Sequence, residues 1–274
     1  MHARAAVFDL YGDHLADRGS WAPIAGIVRL LGTVEVAPPA VRTAVSRLVR
    51  EGWLEPAERD GQRGYAATER ARDRLAEARS RIYRTGSPEW DGRWHLVVTE
   101  RGAGRAARAR SVAALSYLGY ARLAADTWIA PRASAELAAT LRAEGMASRQ
   151  FHARFADDPR ALAAGLWDLD TLGTAYARFL ARACRLREQL PSEIPADRAF
   201  ANRTTLVHEW RKFLFDDPGL PREVLPQGWP GQEAAEVFDR LAADLLPLAR
   251  RFVDECLGDT DHHPTDPAPT TSRS

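Results

Sequence analysis

At 274 residues the chain exceeds the ~100 to 150 residues of a usual single domain, so two or three cores are expected. Its 45% hydrophobic and 27% charged residues suit buried cores, and no apolar run approaches the ~18 residues a membrane helix needs, which speaks against a membrane partner. With 38 basic and 37 acidic residues the net charge is +1, so a nucleic-acid role must rest on where the arginines sit rather than on overall charge. The N-terminus lacks the apolar stretch and cleavage site of a signal peptide, and a cytoplasmic location is expected. Cys184 and Cys256 lie far apart and fit no metal-ligand spacing, so reduced thiols are expected rather than a disulfide or zinc site.

In chain order, Val7, Leu10, Tyr11 and Leu15 recur at helical spacing, and Ile24, Ile27, Val28 and Leu31 predict a second helix, with Pro23 at its opening. Pro38-Pro39 opens a third helix that runs to about Glu51. Val41, Ala44, Val45, Leu48 and Val49 form its apolar stripe, opposite Arg42, Thr43, Ser46, Arg47 and Arg50. Trp53-Leu54-Glu55 reads as a strand, Asp60-Gly61 as a hairpin turn and Arg63 to Ala66 as the return strand, after which Thr68 caps a fourth helix. Helix, helix, helix and two-stranded wing define a winged helix-turn-helix over residues 1–86, closed by Thr85-Gly86-Ser87-Pro88. From Pro39 to Gly86 there are 11 Arg against 7 Asp plus Glu, a modest basic surplus.

The next elements are a strand at Trp94 to Thr99, a helix from Arg105 to Ser116, strands near Tyr120 to Leu123 and Thr127 to Ala130, a helix from Ser134 to Ala143, and a strand at Phe151 to Phe155. The order β-α-β-β-α-β predicts a ferredoxin-like middle domain over residues 87–158. Residues 159–258 carry helical stripes, including Leu169 to Leu180, Leu206 to Leu214 and Val237 to Phe252, with Pro247 expected to kink the last. The fold class is therefore α+β with a helical C-terminal domain. Residues 259–274, rich in Pro, Thr and Asp, are expected to be disordered.

The polar face of the third helix carries the clearest chemistry. Thr43, Ser46 and Arg47 are candidates to read base edges in a major groove, and Arg42 and Arg50 to hold phosphates. Arg59, Gln62 and Arg63 flank the wing turn, where they suit a minor groove or its backbone. Enzyme signals are weak: there is no phosphate loop, no Gly-x-Ser-x-Gly, and no paired His on a helix. Asp168 and Asp170 border a helix, while His262-His263 and Asp259/Asp261 lie in the tail, and no cofactor or metal is expected. The segment Arg203 to Gly231 reads in two ways. It is either a structural corner or an effector pocket in which Trp210 and Trp229 bury an apolar group while Arg203, His208, Arg211 and Lys212 meet an anion.

Several stretches resemble the PaaX family of phenylacetate-catabolism repressors. They are Phe8-Asp9-Leu10-Tyr11-Gly12-Asp13, Ala40 to Leu48 with Gly52-Trp53-Leu54, Trp90-Asp91-Gly92-Arg93-Trp94, and the distal run from His208 to Pro221 followed by Leu225-Pro226 and Trp229-Pro230-Gly231. The resemblance spans about Ala5 to Cys256. It implies a homodimer that binds an inverted repeat in double-stranded DNA and is released by an aryl-CoA thioester such as phenylacetyl-CoA, an acyl-CoA effector rather than a cofactor. It also implies a Cas2-like middle domain. A metal-dependent nuclease built on Glu100, at the end of the first strand of that domain, is the alternative function, and an effector-independent DNA-binding protein is a third.

Overall fold

A computed structural model describes residues 1–82, 89–100 and 105–258. The break expected at 85–88 and the tail at 259–274 lie outside them. The chain forms two compact units. The first comprises residues 1–79, 191–205 and 242 onward, and the second comprises residues 80–190 and 206–241.

The first unit opens with helix α1 (Ala3–Asp9), continued by a wide π-helical turn over Leu10–Leu15. Widening the helix there sends Tyr11, His14 and Leu15 into the core. Strand β1 (Trp21–Pro23) then precedes helices α2 (Ile24–Gly32) and α3 (Pro38–Arg50), strands β2 (Leu54–Arg59) and β3 (Gln62–Ala67), and helix α4 (Glu69–Ile82). Proline's preference for a first turn suits Pro23 to the opening of the second helix. Instead it precedes that helix as the last residue of a short edge strand, where its missing N–H costs no ladder bond. Asp60 and Gly61 both take positive φ, 50° and 77°, the two-residue turn that matches strand twist, and Arg59 pairs with Gln62 across it. Strand β3 is central, between β1 and β2. Gly64 is required there, because a Cβ would stand 2.6 Å from the Ala22 carbonyl and 2.7 Å from the Trp21 ring.

Residues 191–205 and 242–258 complete this unit's core. Phe200, Ala249, Phe252, Val253 and Cys256 share one apolar cluster with Val7, Leu10, Ile27, Leu31, Val41 and Leu48. Phe200 and Phe252 belong to helices α9 (Ala196–Trp210) and α11 (Gly231–Gly258), the latter continuous through Pro247. Gly26 of α2 faces the Cys256 carbonyl, which a Cβ would approach to 3.0 Å.

A charged network is buried in this core. Arg203 donates to Asp13 Oδ1 at 2.8 Å and to the Ala242 carbonyl, with side-chain exposures of 4% for Arg203 and 6% for Asp13. His14 Nε2 lies 3.2 Å from Thr204 Oγ1, and the His14 ring packs on Phe200 at 4.6 Å. Burial pulls the His14 imidazole down to about 4, with Arg203, Arg18 and Arg250 adding to the effect and Asp13 opposing it. At the rim Asp17 binds Arg79 and Arg250, and Arg18 binds Asp254.

The His14 shift has a measurable consequence. An unfolded imidazole titrates near 6.5, so between that pH and about 4 the unfolded chain takes up a proton the folded chain refuses. Stability is therefore expected to fall as pH drops through that window, by on the order of 3 kcal/mol in total. The rim carboxylate Asp17, held below its usual range chiefly by its hydrogen bond to Arg79, loses its contribution only at lower pH. Urea titrations at pH 7.5, 5.5 and 4.5 are expected to show the fall in wild type and a flatter profile in His14→Gln. Parallel profiles would refute the burial of a neutral imidazole.

The second unit contains strand β4 (Trp94–Thr99), helix α5 (Arg105–Tyr117), strands β5 (Ala121–Ala124) and β6 (Thr127–Ala130), helix α6 (Leu137–Ala143) and strand β7 (Ser148–Ala153). The sheet order is β5-β6-β4-β7 with antiparallel neighbours, the ferredoxin-like arrangement. The last strand begins three residues earlier than its Phe151 to Phe155 alternation suggests, because pairing with β4 starts at Ser148 opposite Thr99. Val97, Trp128 and Ala130 face Leu115 and Leu137 on the helical side. Trp94, Leu96 and Ile129 face the opposite side, which helix α7 (Pro159–Leu166) and residues Leu220 and Val224 cover. Asp158 and Asp168 cap α7 and α8 (Leu169–Gln189), their carboxylates accepting from Arg160 N and Thr171 N. A short helix α10 (Phe213–Asp216) precedes the loop to α11.

Candidate nucleic-acid interface

Helix α3 segregates its faces as its spacing predicts. Val41, Ala44, Val45 and Leu48 are buried, and Arg42, Thr43, Ser46, Arg47 and Arg50 are exposed. With Pro at its first turn and two further Arg in its last, the helix opens and closes on residues suited to those places. The Thr43 hydroxyl donates to the Pro39 carbonyl at 2.9 Å, leaving its oxygen as an acceptor toward the outside. Arg47 Nε lies 3.4 Å from Glu51 Oε1, and Arg4 donates to Glu51 Oε2 at 2.7 Å. That hydrogen bond from Arg4, with the charges of Arg4, Arg47 and Arg50, holds the Glu51 carboxyl below its ordinary range. The result is an outer face with three arginines and two hydroxyls, whose nearest acid is already paired.

The wing residues divide. Arg63 is exposed and Gln62 half-buried, next to the tight turn. Arg59 turns back instead, donating to the Gly19 carbonyl at 2.8 Å and the Arg18 carbonyl at 3.2 Å, with its guanidinium 5.6 Å from the Trp21 ring. It ties the turn end of the hairpin to the segment before β1. Sequence reading does not pick out Glu51 or Arg4. The i,i+4 spacing of Arg47 and Glu51 was the available signal for one, and nothing local links Arg4 to either.

The distal candidates also divide. Arg203 is an internal ion-pair partner in the first unit, as described above. In the second unit Trp210 stacks on Phe238 at 4.7 Å and 11°, touches Phe179 and Phe213, and donates to the Ile82 carbonyl at 3.1 Å. Tyr176 stacks on Phe213 at 4.0 Å and gives its hydroxyl proton to Asp217 Oδ2 at 2.5 Å. Burial, then the Asp217 charge, raise that phenol well above its usual range. Trp229 is half-buried over Gly173 and Gly231, where a Cβ would stand 3.1 Å and 2.5 Å from its ring. Lys212 is exposed and reaches Glu209 Oε1 at 2.6 Å, and Glu209 also takes Arg182. His208 and Arg211 are half-buried, and burial lowers both. Thus Arg203 and Trp210 are inside their cores, whereas His208, Arg211, Lys212 and Trp229 keep surface.

Glu100 is exposed after β4, its N–H bonded to the Ala147 carbonyl. Among the described residues no three His, Cys, Asp or Glu gather to hold a metal, and no helix is long and apolar enough to cross a membrane.

The first unit thus sets an exposed Arg and hydroxyl face on α3 beside a tight hairpin, and the second unit carries a ferredoxin-like sheet. Three family models match successive parts of the chain: PaaX-like protein over residues 2–71, PaaX protein central Cas2-like domain over 87–160, and PaaX-like protein C-terminal domain over 167–255. The chain belongs to the PaaX family. It is 29% identical over 261 residues to the transcriptional repressor PaaX of Escherichia coli (strain K12), covering 91% of this chain and 82% of that one. The uncharacterized protein Rv0674 from Mycobacterium tuberculosis shares the fold, with a TM-score of 0.63, 23% identity, and coverage of 92% of this chain and 98% of that one.

Proposed function

We propose that this chain is a transcriptional repressor of the PaaX type. Residues 1–86 act as a winged helix-turn-helix, with Thr43, Ser46 and Arg47 meeting base edges and Arg42, Arg50 and Arg63 meeting phosphates. The observation that carries the proposal is the polar face of α3, with Arg42, Thr43, Ser46, Arg47 and Arg50 all exposed, in a chain that is 29% identical to a transcriptional repressor. Residues 87–158 and 159–258 pair two such readers and bind an aryl-CoA thioester such as phenylacetyl-CoA. His208, Arg211, Lys212 and Trp229 are the residues with surface to offer that ligand. The thioester releases DNA to the extent that it prefers the DNA-incompetent state, since a ligand shifts an equilibrium only by its differential affinity.

The test begins with a random duplex pool. Full-length protein is expected to select an inverted repeat, and phenylacetyl-CoA is expected to weaken binding to the selected duplex. Failure to enrich any sequence would overturn the repressor reading. Enrichment with affinity unchanged by any thioester would replace it with an effector-independent DNA-binding protein. Cleavage of the pool in Mg²⁺, abolished by Glu100→Gln, would replace it with a nuclease.

A further inference from the structure

We propose that strand β7 is the surface on which a second copy of this chain docks, its edge pairing antiparallel with the same strand of the copy about a two-fold axis at Ala153. The proposal deepens the dimer invoked above, because it names the surface that pairs the two readers.

The two edges of the second unit's sheet are built differently. At one edge β5 is short and interrupted by a register shift between Arg122 and Ala124. There the Arg122 guanidinium folds onto the Ala124 and Ala125 carbonyls of its own strand, at 3.3 and 2.8 Å. Bulges and inward-turned charges of this kind protect an edge from pairing with another chain. At the other edge β7 runs six residues in unbroken register with β4 and carries no proline or bulge. Arg149 through Ala153 are all exposed, Phe151 by 51%, and the chain continues into Phe155, exposed by 41%. Arg154 beside this edge is drawn away, donating to the Asp91 carbonyl at 3.1 Å. Phe151 pairs with Leu96 of the core, so the apolar layer on that face of the sheet runs on to the open edge.

The sequence of the strand is complementary to itself in one register. A two-fold axis perpendicular to the sheet places one residue opposite its own copy and keeps each facing pair on one side. With the axis at Ala153, Phe151 faces Phe155 and Arg149 faces Asp157, each twice by symmetry. Aromatic pairs and opposite charges facing across antiparallel strands are both favourable. Moving the axis to His152 sets Arg149 against Phe155. Moving it to Arg154 sets two arginines face to face and Phe151 against Asp157. The proposed pairing extends the strand through residues 154–157, which lie outside regular structure here.

The test uses the full chain without DNA. Sedimentation velocity is expected to give a dimer for wild type. Arg149→Asp and Asp157→Arg each set like charges opposite one another twice, and each is expected to raise the dimer dissociation constant tenfold or more. Both positions are exposed, so circular dichroism is expected to show unchanged folding. Mixing the two variants in equal amounts restores both charge pairs in the heterodimer and is expected to return wild-type dimerisation. A monomeric wild type, variants that dimerise like wild type, or a mixture that stays monomeric would each overturn the proposal. A monomeric variant that still binds a single DNA half-site leaves the reading by α3 standing, whereas a dimer that binds no DNA leaves the edge pairing standing.

Discussion

Arg203→Met and Asp13→Asn are each expected to cost about 3–5 kcal/mol of folding stability, because either change removes the opposite charge from a buried ion. Both side chains are almost fully buried, 2.8 Å apart, and Arg203 also satisfies the Ala242 carbonyl, so its removal strands a backbone acceptor too. Asp13 ends the Phe8 to Asp13 motif. Phe8 meets Trp53 edge-on at 5.4 Å and Tyr11 donates to the Tyr65 carbonyl at 2.8 Å, so that motif ties the turn after α3, strand β3 and helix α9 into one core. The double variant Asp13→Leu with Arg203→Met removes both charges and is expected to recover most of the loss. Urea titration followed by circular dichroism measures all three. A single variant that costs under about 1 kcal/mol would show that the pair is not as desolvated as its burial indicates.

Trp210→Ala is expected to cost about 3–5 kcal/mol in the absence of any ligand, the range for deleting a buried aromatic and leaving a cavity. Trp210 is 9% exposed and sits among Phe179, Phe213 and Phe238, with its indole N–H bonded to the Ile82 carbonyl. Lys212→Ala, at a side chain 56% exposed, is expected to change stability by no more than about 0.5 kcal/mol while weakening any anionic ligand. If Trp210 only lined a ligand cleft, its truncation would leave the ligand-free protein about as stable as wild type. Thermal unfolding of the two variants side by side decides between these outcomes.

The elements with strong periodicity were legible in the sequence. The α3 stripe, the Asp60-Gly61 turn, the β4 and β6 strands and the helix bordered by Asp168 all appear where the sequence puts them. What the sequence hid is non-local. Strand β1 is three residues long and exists because β3 lies beside it, so no alternation betrays it. The ion pair of Asp13 with Arg203 joins residues 190 positions apart, and a lone Arg on a helix looks the same whether it meets a ligand or an internal carboxylate. Arg59 looks like a wing residue free to reach DNA because nothing in the sequence reveals that the Arg18 and Gly19 carbonyls stand open toward it. Trp210 matches a ligand-binding aromatic for the same reason it matches a core one, namely its size. Only its neighbours separate the two.

That α3 reads DNA is tested most directly by titrating a selected duplex and a scrambled one with wild type, Arg47→Ala and Arg50→Ala at several salt concentrations. Arg47→Ala is expected to lose about 1–3 kcal/mol of discrimination between the two duplexes. Arg50→Ala is expected to weaken both equally and to lower the salt slope by about 1. Unchanged discrimination in Arg47→Ala together with an unchanged salt slope in Arg50→Ala would contradict the assignment of this helix.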